Sequence, residues 1–243
     1  MKSILALLAI FTTLAAPLQA EQAPVTVFAA ASLRGALDNI GAGYDLPVVI
    51  SYGGSGTMAR QVAAGAQADL VILASSTWMT WLQNQSLPDL SDAQIVAQNT
   101  LVVIAPVGAP ALEDPADLLA RLSGGRLAMG QRDAVPAGTY ARQWLETAGI
   151  WSTLMPHLAE TDNVRAALAL VARAQAALGV VYASDAAAEP AVEVIYTVPE
   201  DHHDPILYPA ASLSPAGGAL LAFILAPEAQ AVLRDHGFAP LQQ

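Results

Sequence analysis

Two serines stand where chemistry could be done. Ser32 follows the apolar run Val25-Thr26-Val27-Phe28-Ala29-Ala30-Ala31 and precedes Leu33-Arg34-Gly35-Ala36-Leu37, so a buried strand passes through a tight turn into a helix. Ser55 repeats the design: Pro47-Val48-Val49-Ile50-Ser51-Tyr52 runs into Gly53-Gly54-Ser55-Gly56-Thr57 and on to Met58-Ala59-Arg60-Gln61-Val62. The first amides of a helix have no acceptor within it, and an N-cap serine adds a hydroxyl, so each junction gathers donors at one point. That is an anion site in outline. One such junction is an ordinary cap; its recurrence in one chain is what points to a ligand. The glycines around Ser55 let backbone approach a ligand closely.

Two other chemistries have partial signatures in the chain. Gly53-Gly54-Ser55-Gly56 has part of the pattern of a hydrolase nucleophile turn, but Thr57 stands where Gly-x-Ser-x-Gly needs its second glycine. Asp201-His202-His203-Asp204 offers metal-ligand types, yet adjacent side chains on an extended segment point apart, so it reads as an exposed polar loop.

The elements that must position these groups alternate. Ala68-Asp69-Leu70-Val71-Ile72-Leu73 reads as a third strand, followed by a helix capped by Ser75 or Ser76, with Trp78, Met79, Trp81 and Leu82 as its core face. Strand–helix alternation argues for a parallel, doubly wound sheet, which binds ligands beyond the carboxyl ends of its strands. Runs at 94–97 and 101–105, then Pro106-Val107-Gly108-Ala109-Pro110, mark a crossing into a second domain. There, strands are expected at 126–129 and 178–182 and helices at 136–145, 152–158 and from Val164. Strands at 192–198 and 206–213 bring the chain back, and helices starting at Pro215 and Pro227 close it. The expected division is 1–20 as a cleavable signal peptide, 21–104 with 205–243 as the first domain, and 105–204 as the second; the fold class is α/β, two doubly wound domains joined by two crossing segments, near 101–106 and 197–208.

Composition bounds the partners. Lys2 and the apolar run from Ile4 to Leu14 read as a secretory leader, too short to remain as a membrane span, with the mature start near Glu21. The chain has no cysteine, hence no disulfide, thiolate metal site or thiol-linked lipid. Its net charge is −11, or −12 once Lys2, its only lysine, is removed with the leader. Nucleic acid and anionic lipid are poor partners for such a surface. A bound anion is still possible, because distant charges are screened while local amides are not.

Thr26 to Leu33, Ser55-Gly56-Thr57-Met58-Ala59-Arg60-Gln61, Ala68-Asp69-Leu70, Val135-Pro136-Ala137-Gly138, Val164 to Val171 and Leu178-Gly179-Val180-Val181-Tyr182 together resemble the periplasmic molybdate-binding proteins of ABC transporters, with the type II periplasmic-binding-protein fold. The resemblance runs in order across the whole mature chain. It implies a monomeric periplasmic receptor, not an enzyme, with no cofactor, that delivers molybdate or tungstate to a membrane permease. It also implies an oxyanion held by Ser32, Ser55 and Tyr182 through hydroxyls and by Ala137 and Val164 through backbone amides. Four helix N-termini would converge there, no arginine would touch the ligand, and no metal cation would be bound. One departure is glycine at positions 54 and 56, where the family often has serine. The alternatives are another oxyanion such as sulfate, an amino acid, a polyamine, which would need carboxylates that these positions lack, or the hydrolase.

Overall fold

The computed structural model describes residues 23–85, 87 and 90–241; the expected leader and the mature start at Glu21 lie outside them. In chain order the strands are β1 (Val25–Ala30), β2 (Val48–Gly53), β3 (Leu70–Ile72), β4 (Gln94–Gln98), β5 (Leu101–Pro106), β6 (Leu127–Gly130), β7 (Leu158–Thr161), β8 (Leu178–Tyr182), β9 (Val192–Thr197) and β10 (Leu207–Ser212). The helices are α1 (Arg34–Ala42), α2 (Ser55–Ala63), α3 (Ser76–Gln83), α4 (Leu118–Arg121), α5 (Pro136–Thr147), α6 (Trp151–Leu154), α7 (Val164–Ala172), α8 (Ala183–Ala187), α9 (Pro215–Leu225) and α10 (Pro227–Asp235).

The strands form two five-stranded sheets, ordered β2-β1-β3-β10-β4 and β7-β6-β8-β5-β9. Central strands are buried on both faces: β8 is buried along its whole length, and β1 at every position but Thr26. Edge strand β2 instead alternates half-buried and exposed positions over Val48–Ser51, as an edge packed on one face must. The parallel ladders β1–β2, β1–β3, β6–β7 and β6–β8 agree with the doubly wound expectation.

Each sheet is nonetheless mixed, because one strand enters it from the other. β10 is antiparallel to β3 and β4, and β5 is antiparallel to β8 and β9. These are the two strands that follow the crossings, so the chain enters each sheet from the side facing the other. The first crossing is Asn99-Thr100, earlier than the expected one: the border between 104 and 105 would cut β5, which pairs with second-sheet strands from Leu101 onward. The return lies between Thr197 and Leu207.

Three local readings are corrected. β7 is a strand that the sequence hides, because it has four residues at an edge and only Leu158 is buried. The helix expected over 152–158 is α6 plus a 3₁₀ turn at Met155–His157. Trp78 and Trp81 are half-buried, whereas Met79 and Leu82 carry the core face of α3. The N-terminal caps follow side-chain chemistry: Ser75, Asn163 and Ser214 each accept a backbone N–H of the next turn. Asp69 links β1 to the cap of α9, accepting Thr26 N–H at 2.8 Å and Ser214 Oγ–H at 2.6 Å. Among the described residues no single helix is long and apolar enough to cross a membrane.

Candidate functional site

The carboxyl ends of β1, β2 and β3 face those of β6, β7 and β8. A small cavity between them is lined by Ala31, Ser32, Gly54, Ser55, Ala74, Val135, Ala137, Asn163, Val164 and Tyr182, among others. All five predicted residues, from Ser32 to Tyr182, therefore meet at one point, two from the first sheet and three from the second. The space within it is about 10 Å³, roughly the room of a single water. No lining side chain is charged.

The donors have separate origins. Ser55 opens α2, Val164 opens α7 and Ala137 is the second residue of α5, so their amides fall where a helix has no internal acceptor to offer. The aligned peptide dipoles put a partial positive charge at each start. Pro136 at the first position of α5 fits because its missing N–H would have had no intrahelical partner.

The hydroxyls depart from the cap expectation. Ser32 is not an N-cap: it lies inside the 3₁₀ turn Ala31–Leu33 that leads into α1, and its Oγ is 3.0 Å from Tyr208 Oη. Ser55 is the first residue of α2 rather than its cap, and its Oγ accepts Ala74 N–H at 2.9 Å. Both serines are 1% exposed. Tyr182 Oη is buried with no hydrogen-bond partner at all. Burial pushes that phenol well above its ordinary pKa, so it stays a neutral donor. A buried polar group left unmet costs about 1 to 3 kcal/mol, and this one faces the cavity where a ligand would meet it.

Gly54 and Gly56 explain their own departure from serine. A Cβ on Gly54 would collide with the backbone oxygen of Asp162, and one on Gly56 would come within 2.7 Å of Ala134 O and 2.6 Å of the Trp78 ring. The two sheets thus approach backbone to backbone over the cavity. The close approach expected of these glycines is therefore made in the first place to backbone of the facing domain, at Asp162 and Ala134.

Arg165 lies one residue past Val164 but does not line the cavity. Its Nε is 2.7 Å from Asp185 Oδ1, an ion pair by distance although the N–H is poorly aligned, and its Nη2 donates to Ser32 O at 3.3 Å. Asp185 is fully buried and also accepts Tyr182 N–H at 3.3 Å. Burial raises its pKa to about 6 against the opposing pull of Arg165 and that amide. The arginine charge is thereby spent on a carboxylate behind the wall.

Ser55 has no base beside it: its one partner is a backbone donor, the wrong sense for a nucleophile, which must give its proton away. The expected exposed loop at 201–204 is in part a 3₁₀ turn, Glu200–His202, with both histidines half-buried; His203 Nδ1 meets Asp204 O at 2.7 Å, and the described residues hold no group of three or more side chains that could bind a metal ion.

Residues 25–239 match the family described as bacterial extracellular solute-binding proteins. The chain is 39% identical over 231 residues to the molybdate-binding protein ModA of Escherichia coli, covering 90% of each chain. It is 35% identical to that of Haemophilus influenzae, covering 90% of this chain and 91% of the relative. The periplasmic molybdate-binding protein of Azotobacter vinelandii shares the fold, with a TM-score of 0.78 at 23% identity over 90% of this chain and all of that one.

Proposed function

Because the chain belongs to the bacterial extracellular solute-binding proteins, we propose that it captures molybdate, and tungstate equally well, between its two sheets and delivers the anion to the permease of an ABC importer. Its role is transport and not catalysis, and the oxyanion is a cargo rather than a cofactor. The observation that carries the reading is Tyr182: a buried phenol without a partner, in an uncharged wall that also holds two serines and three helix starts. The 39% and 35% identical relatives, both molybdate-binding proteins, support the choice of anion.

The mechanism is neutral-donor capture. A dianion leaving water needs its oxygens met, and hydrogen bonds to a charged group contribute about 1.5 to 3 kcal/mol each. Ser32, Ser55, Ala137, Val164 and Tyr182 supply them while the helix starts supply partial positive charge. With donors on both sheets, the ligand favours the closed arrangement over an open one, the crossings at Asn99-Thr100 and between Thr197 and Leu207 acting as hinges. Export to the periplasm as a monomer completes the reading.

Every contact offered is a donor, so the site suits an oxyanion that carries no proton. Molybdate, tungstate and sulfate meet that condition at neutral pH, whereas phosphate keeps a hydrogen that would face donors only. Sulfate has shorter bonds, and its contacts stretch beyond about 3.2 Å and weaken. The test is a thermal-shift panel: molybdate and tungstate raise the unfolding temperature most, sulfate less and phosphate least, with about 4 kcal/mol of stabilisation at a thousand times the dissociation constant. Sulfate or phosphate matching molybdate would reject the assignment.

A further inference from the structure

Behind Ser32 runs a chain of polar side chains that does not line the cavity. Asn99, at the first crossing, accepts Thr100 N–H at 3.0 Å and Ser184 N–H at 3.4 Å through Oδ1. A backbone N–H can only donate, so these bonds decide which end of the amide is oxygen. Asn99 Nδ2 then donates to Ser184 Oγ at 2.7 Å and to Tyr208 Oη at 3.1 Å. Tyr208 is fully buried on β10. Its own proton cannot go to Asn99 Nδ2, which accepts nothing, and goes to its other partner, Ser32 Oγ, at 3.0 Å. Ser32 is thus filled on that side, and its proton is left to point into the cavity that Ser32 lines.

We infer that Asn99 and Tyr208 are specificity-determining residues: they lock the Ser32 hydroxyl as a donor, and so make the cavity reject tetrahedral oxyanions that carry a proton. The inference rests on the oxyanion reading above and adds to it the side chains that enforce proton exclusion. An unlocked serine could turn, accept the proton of hydrogen phosphate and give its own proton to Tyr208. The locked one could accept only by leaving its own proton stranded. Ser55 is held in the same sense by a backbone amide, Ala74 N–H, which side-chain substitution cannot remove. Tyr182 has no protein partner, so it could accept a proton from the ligand only by leaving its own O–H unmet. The Asn99–Tyr208 chain is therefore the part of the lock that mutation can reverse.

Asn99→Asp reverses it with almost no change of shape. A carboxylate accepts on both oxygens, so Tyr208 donates to residue 99, Ser32 donates to Tyr208, and the lone pairs of Ser32 face the ligand. Tyr208→Phe keeps the ring and leaves Ser32 free to turn either way. Competition calorimetry near pH 8, where sulfate and most phosphate are both dianions, gives the ratio of phosphate to sulfate dissociation constants in wild type and both variants. The added charge of Asn99→Asp weakens both anions alike and cancels in that ratio. The ratio should fall about tenfold in Asn99→Asp and about threefold in Tyr208→Phe, while loss of packing alone would weaken both anions and leave it unchanged. If Asn99→Asp does not fold, Tyr208→Phe decides. A ratio unchanged in the folded variants, or near one in wild type, overturns the inference while the oxyanion reading stands. Wild type that binds neither molybdate nor sulfate overturns the oxyanion reading and the inference with it.

Discussion

Of the openings between the two halves, the one proposed to take the ligand is far smaller than the cleft beside it. A cleft of about 390 Å³ is lined by Trp78, Trp81, Tyr140 and Gln143, with Asp133 and Asp204 at its rim. Its polar groups already have partners: Tyr140 Oη donates to Ala74 O at 3.3 Å, Gln143 exchanges two hydrogen bonds with Asp204, and Asp133 pairs with Arg142 at 3.2 Å. Two carboxylates make it unwelcoming to an anion. The cavity a few residues away has a fraction of that room, yet it collects uncharged donors and one phenol that nothing satisfies. Unmet hydrogen bonding, not volume, is what supports the smaller cavity as the proposed ligand site.

That contrast can be broken most forcefully at Ser55. Ser55→Ala removes a ligand donor and also strands Ala74 N–H, so molybdate affinity should fall about a hundredfold by calorimetry and the fold should lose roughly 1 to 3 kcal/mol in urea titration. Tyr182→Phe removes only the unmet hydroxyl: affinity should drop tenfold or somewhat more, with stability unchanged or slightly raised, since the free protein loses an unsatisfied group. Wild-type affinity in both variants would remove the cavity from consideration.

Asp185 sharpens the comparison from behind the wall. Its folded pKa of about 6 lies above the roughly 3.9 of an unfolded aspartate, so the native state binds the proton more tightly. The sign follows: this group favours the fold most at low pH, and its contribution declines as pH rises through about 6, by roughly 1 kcal/mol between pH 5 and pH 7. Asp185→Asn should abolish that slope in urea denaturation; an identical slope in the variant would show that Asp185 does not carry it. The smallest effect belongs to the cleft. Trp81→Ala should leave molybdate affinity within about threefold of wild type, and a larger loss would mean that the cleft takes part in binding.

Much of the fold was legible because the signals were local. Apolar runs punctuated by glycine and serine located β1, β2 and β3 with the helices that follow, and prolines marked the starts of α5, α9 and α10. All five residues proposed to hold the ligand were named from the sequence through resemblance, and they converge in the structure. What escaped depends on distant partners. Ser32 looks like a cap in sequence, but its hydroxyl is held by Tyr208, 176 residues away. Asn99 sits between two apolar runs as an ordinary connector, and only the folded chain shows its amide held by Thr100 and Ser184. The antiparallel sense of β5 and β10 is likewise invisible locally, because strand direction in a sheet depends on where the chain crosses.

The most direct measurement is anomalous diffraction at the molybdenum edge from crystals grown with molybdate. One peak is predicted between Ser32, Ser55, Ala137, Val164 and Tyr182, with oxygens roughly 2.7 to 3.2 Å from those donors and no charged side chain in contact. A peak in the Trp78–Trp81 cleft, or no ordered molybdenum at all, would contradict the account.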